Sequence, residues 1–183
     1  MWNFIKQYSY DAVKLFVTQF AIGIFGFSLS LASAQAQNAP LTIVCSVFAV
    51  FFYLFLIYTS LWEMGAKDQI SVEYGHQPYC PRKGLYIALL ACVLNVLAAI
   101  GIALIPAAEA ICRLYAVVAE GMYNGILSIR VADQMLNTYP IFYFLIPIPA
   151  LLTAWLAYFL GLKNIRLTGS LFAPNGQQKN GKK

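Results

Sequence analysis

Charge is what this sequence has least of. Only 10% of its 183 residues are Asp, Glu, Lys or Arg, while 61% are hydrophobic; an average soluble domain carries about 25% charged residues. So large an apolar excess in so short a chain is more than one globular core takes up. It also comes in blocks, the pattern of helices that face lipid. The motifs of autonomous enzymes are missing too: there is no P-loop, no H-E-x-x-H and no G-x-S-x-G. The four cysteines, Cys45, Cys80, Cys92 and Cys112, form no C-x-x-C pair, which removes zinc-ribbon and thioredoxin-like readings. No acidic or basic residue lies deep inside an apolar block, and proton relays and ion-coupled pumps usually need one, so neither is expected. The net charge of +5 comes from cations flanking the blocks rather than from a basic–aromatic ladder, so no nucleic-acid partner is expected.

What is present is four apolar blocks, at 13–33, 41–62, 85–105 and 140–162. Each is long enough for a transmembrane helix of about 20 residues. The fold expected is all-α: an integral membrane bundle of four transmembrane helices in one domain, 1–172, followed by a polar, glycine-rich tail at 173–183 that reads as disordered. An aromatic lead-in (Trp2, Phe4, Tyr8, Tyr10, with Lys6) suits the headgroup region. The first block has a rival reading, because Ala32-Ser33-Ala34 and Ala34-Gln35-Ala36 look like cleavage sites of a signal peptide. Its apolar run outlasts the roughly 7–15 residues of a signal-peptide core, so a retained helix is expected.

Between the blocks, 63–84 is polar and reads as a loop. Within it His76 and Cys80 are too few ligands for a zinc site, and no metal or cofactor is expected. The region 107–138 is intermediate in character. Glu109, Arg113, Glu120, Arg130 and Asp133 recur too often for a lipid-exposed span, yet Ile111, Leu114, Tyr115, Val118 and Met122 fall at helical spacing. It reads as one or two amphipathic helices lying on the outer surface or capping the bundle, with a fifth span as the topological alternative; Glu109 and Arg113 are paired at i,i+4, and Gly121 and Gly125 mark a break or a close contact. A disulfide between Cys45 and Cys112 is open on this reading.

Charge sets the orientation. Lys6, Lys14, Lys67, Arg82, Lys83, Lys163, Arg166, Lys179, Lys182 and Lys183 fall on one side of a four-span chain, and only Arg113 and Arg130 on the other. The positive-inside rule then places both termini and the 63–84 loop in the cytoplasm.

Two helix faces are candidates for packing or ligand contact. In the third block Gly84, Ala88, Ala91, Asn95, Ala98 and Ile102 share one face, where small residues allow close helix approach and a buried amide bonds across. In the first block Gly26, Ser30 and Ala34 do the same. Gln19, Ser28 and Asn95 are candidates to line a polar pocket. Pro147 and Pro149 each remove a backbone donor from the last block, a kink or a broken-helix site.

The stretch Pro81-Arg-Lys-Gly-Leu-Tyr-Ile-Ala-Leu-Leu-Ala91 with Asn95, and the ending Tyr158-Phe-Leu-Gly-Leu-Lys-Asn-Ile-Arg166, resemble segments of small uncharacterised polytopic membrane proteins of Gram-positive bacteria. The resemblance implies a bacterial cytoplasmic membrane and no particular activity. The function expected first is a non-catalytic membrane subunit or scaffold, with the lipid bilayer and a protein partner or second copy around it. A small transporter or permease component for a neutral or lipid-like solute is the alternative. An outer-face lipid-modifying enzyme built on the 107–138 charges comes third.

Overall fold

The computed structural model describes residues 2–36, 38–76, 78–131 and 133–165. The tail expected at 173–183 lies outside them. Its regular structure is helical apart from one two-residue β-ladder.

Helix α1 (Trp2–Gln35) and helix α2 (Ala39–Glu73) contain 34 and 35 residues. At 1.5 Å per residue each is about 50 Å long, more than the roughly 30 Å of a hydrocarbon core. The turn between them is fixed by Asn38, whose side chain accepts the Leu41 N–H at 3.2 Å, with Pro40 in the first turn of α2. Pro suits that position because the N–H it lacks has no helical partner there. Helix α2 does not stop with its apolar block but runs on to Glu73, so much of the polar stretch expected as loop is helical. It ends at Gly75, which takes φ +72, with Gly75 N–H bonded to Val72 O and His76 N–H to Ser71 O. A glycine accepts that left-handed conformation without a Cβ penalty.

The third block is two helices, α3 (Lys83–Ala91) and α4 (Val93–Leu104), bent by 49° at Cys92. The six small or polar positions from Gly84 to Ile102 are all buried, so one packing face continues through the bend. The last block comprises α7 (Ile141–Leu145) and α8 (Pro147–Leu162), joined through Ile146 in helical conformation. Pro147 sits in the first turn of α8. It therefore divides two helical segments without opening the span.

Three helices are long and apolar enough to cross a membrane: Tyr8–Gln35, Pro40–Glu73 and Ile141–Leu162. The bent pair α3–α4 passes the same test when taken together. The core uses period-3.6 stripes of small and aromatic residues. On α2 the stripe is Ser46, Ala49, Tyr53, Ile57, Leu61 and Gly65, all buried. On α1 it is Tyr8, Ala12, Leu15, Gln19, Gly23, Gly26 and Ser33. The face expected there ended on Ala34, which is exposed; the stripe drifts one residue and closes on Ser33. Helices α2 and α8 approach so closely at Gly65 and Gly161 that a Cβ on either would meet the partner's backbone.

Between α4 and α7 the chain makes an unexpected excursion. Helix α5 (Glu109–Ala119) turns back along α4, bringing Cys112 against Gly101 and Tyr115 against Asn95. The direction reverses through a 3-10 turn at Gly121–Tyr123 and the short helix α6 (Asn124–Leu127). The chain then returns along α2, with Gly125 against Thr42 and Ser46. The hairpin strands β1 (Arg130–Val131) and β2 (Gln134–Met135) follow. The 107–138 region is therefore not a layer lying flat on the bundle: its first half is a helical hairpin wedged between α1, α2 and α4. All four cysteines are free, and Cys112 packs on Gly101.

Candidate functional site

The wedge is seated by glycine and serine. Gly23 and Gly26 of α1 lie against the backbone of Ala119 and Met122, and Gly121 lies against Gly23 and Phe27. Any Cβ at these positions would strike main-chain atoms, so the helices meet only because the residues are glycine. Ser46 on α2 donates its hydroxyl hydrogen to the Met122 carbonyl and accepts the Ile126 N–H at 3.4 Å. One side chain thus satisfies a donor and an acceptor of the turn, groups that a buried loop must have satisfied.

Glu120 lies at the tip of this wedge. It is 2% exposed, and its Oε2 finds no hydrogen-bond donor. The Tyr123 hydroxyl is likewise buried and unpaired. Glu120 interacts electrostatically with Tyr53 of α2, Cys92 at the bend, Tyr115 of α5, Tyr123 and Tyr143 of α7. Burial raises its pKa above the ordinary carboxylate range, because the charged form loses its hydration without gaining a counter-ion. Glu120 is also the C-cap of α5, where the negative end of the helix dipole disfavours an anion. Both effects favour the neutral acid.

Above Glu120, the Tyr115 hydroxyl donates to Asn95 Oδ1 at 3.0 Å. Higher again, Arg113 donates to Glu109 Oε1 at 2.8 Å and to the Asn137 carbonyl at 2.6 Å, with its guanidinium 5.9 Å from the centre of the Tyr143 ring. Below, Gln19, Tyr53 and Cys92 line a cavity of about 10 Å³ with Leu15, Ile57, Ala88, Ala91 and Ala150. That is room for about one water. A second cavity, of about 60 Å³, opens at the far end of the bundle among Tyr8, Asp68, Val72, Pro78, Cys80, Lys83, Tyr158 and Leu162. There Asp68 Oδ2 accepts from Lys83 Nζ at 2.6 Å and from the Tyr158 hydroxyl at 2.7 Å. This knot joins α2, α3 and α8, and none of its three residues is among the candidate site residues read from the sequence.

The candidates read from sequence are distributed unevenly. Gln19, Asn95, Ala91 and Ala98 are buried around the wedge, whereas Ser28 is exposed and turns its hydroxyl back to Ile24 O. The pocket expected from Gln19, Ser28 and Asn95 therefore does not form. Gly26 is a seat for the wedge, Ser30 is half-buried, Pro147 is buried and Pro149 is half-buried. The five charges expected as one outer cluster separate into three places. Glu109 and Arg113 pair with each other, Glu120 is enclosed, and Arg130 and Asp133 are exposed at the β-hairpin.

No family model matches the chain, and no curated protein or solved structure is similar enough to match it.

Proposed function

We propose that the chain is a four-span protein of a bacterial cytoplasmic membrane, with both termini in the cytoplasm, that works as a small transporter or permease component for a neutral or lipid-like solute. In this reading α5 and α6 form a re-entrant hairpin entering from the outer side. The observation that carries it is the outward face of α5. Ala110, Leu114 and Val117 share that face and are exposed, Leu114 at 66%, with Ile111 beside them at 73%. A helix lying on the surface turns such a stripe toward the membrane and its charges toward water. Here the apolar stripe faces away from the protein while Glu120 is enclosed within it, which suits a helix immersed in lipid.

Broken helices form the binding sites of many transporters, and here the third block is broken at Cys92, which lines a small cavity with Gln19 and Tyr53. The scaffold reading draws on small-residue packing faces, the tyrosine-rich 63–84 stretch and the lack of charge inside the apolar blocks; of the glycines on those faces, Gly26 and Gly84 pack against segments of this same chain.

The test is the thermal unfolding of purified protein in mild detergent against a panel of small neutral solutes. At least one solute is expected to raise the midpoint, and Gln19→Ala, at the cavity wall, is expected to abolish that rise. No rise across the panel contradicts the reading.

A further inference from the structure

Resting on the transport reading, we infer that Glu120 is a proton-binding site, the group through which movement of the solute is coupled to a proton.

The geometry selects the proton over a metal cation. A hard cation needs several oxygen ligands around it. Glu120 has phenols from Tyr53, Tyr115, Tyr123 and Tyr143 and the Cys92 thiol within electrostatic reach, and the described residues hold no group of three or more His, Cys, Asp or Glu able to hold a metal. Among the described residues no lysine or arginine offsets its burial; Arg113 is already held by Glu109 and Asn137. A carboxyl with one unpaired oxygen in such a place exchanges one thing at low cost, a proton. The neutral form suits the closed chamber, and the anion requires that water or a donor reach Oε2.

Two cavities lie along α1 toward the end read as cytoplasmic: one at Tyr8 and Asp68, and one at Leu15 and Gln19 whose wall includes Tyr53 and Cys92, the residue at the bend of the third block. Glu120 lines neither, so its exchange with water requires the packing around it to open.

The experiment is an infrared difference titration of the full chain in lipid nanodiscs, following the C=O stretch of protonated carboxyl groups. Wild type is expected to hold a protonated-carboxyl band that persists well above the usual carboxylate range. Glu120→Gln, isosteric with the neutral acid, is expected to fold and to lose the band. Glu120→Asp is expected to shift it, and Glu109→Gln to leave it unchanged. Absence of the band from wild type, or its survival in Glu120→Gln, overturns the inference. A band whose titration moves when choline is replaced by sodium also overturns it, in favour of a cation site. The titration needs no solute. An intact band with no solute binding therefore removes the transport reading alone, and solute binding without the band removes the proton site alone.

Discussion

The Tyr115 hydroxyl donates to the Asn95 amide oxygen across 3.0 Å, tying helix α5 to α4 beyond the bend at Cys92. Asn95 sits 2% exposed on the small-residue face of α4, where an unpaired amide is costly. Tyr115→Phe is expected to lower stability by about 0.6–2 kcal/mol, the range for such bonds between membrane helices. Asn95→Leu is expected to cost more, because it also overfills the interface. Thermal midpoints in one detergent measure both; equal midpoints for Tyr115→Phe and wild type would show that the bond is idle.

The glycine seats supply a second expectation. Gly23→Ala and Gly121→Ala each drive a methyl group into main-chain atoms of the opposing segment, which no side-chain rotation relieves. Both are expected to yield aggregated or unfolded protein on size exclusion. Gly75→Ala is the contrast, since a Cβ there meets nothing but the residue holds φ +72. Its expected cost is only the left-handed backbone strain, about 1–2 kcal/mol.

Asp68, Lys83 and Tyr158 form a partly buried knot, with the two charged side chains 15% and 14% exposed. Removing one partner leaves the other poorly solvated, so Asp68→Asn and Lys83→Met are each expected to destabilise by roughly 1.5–3 kcal/mol. The double variant is expected to recover part of the loss, a coupling that a double-mutant cycle reads directly. Strict additivity would mean that the pair contributes nothing.

Burial of Glu120 carries a pH dependence whose sign is fixed. Its folded pKa is raised above 4.5, so over that window the folded state binds more protons than the unfolded one, and stability falls as pH rises. Glu120→Gln is expected to flatten that fall. A variant with the same pH profile as wild type would show that Glu120 is not its source.

Processing gives a further expectation. Because Gly23 and Gly26 of α1 seat the wedge, removal of the first helix would expose it. The intact mass of the membrane-extracted protein is expected to include α1, and a mature form beginning after Ala34 or Ala36 would contradict this.

The long helices were legible because lipid-facing segments must be apolar over their whole length, and blocks 13–33, 41–62 and 140–162 meet that demand without help from tertiary context. The bend at Cys92 was not, since Ala91-Cys92-Val93 contains neither proline nor glycine to announce it. Apolar spacing in 109–119 was visible, but its direction was misread. Ile111 and Leu114 face outward, and the inner surface is built from Ala116 and Ala119. A charge usually marks the surface, so Glu120 by itself does not announce its burial. The adjacent signal is Gly121 and Gly125, glycines because the backbone of α1 or α2 lies against them. The Asp68–Lys83–Tyr158 knot joins residues far apart in the chain, which no local pattern encodes.

Whether α5 enters the bilayer or lies upon it is decided directly by spin-label depth. Single labels at Ala110, Leu114 and Val117, in a chain whose four native cysteines are replaced, report depth from relative oxygen and nickel-complex accessibility in liposomes. The three positions share one exposed face of the helix, so a helix parallel to the surface places them at one depth. The account expects depth to increase steadily from 110 to 117, by about 10 Å at 1.5 Å per residue if the helix stands upright. Equal depth at all three positions would contradict it.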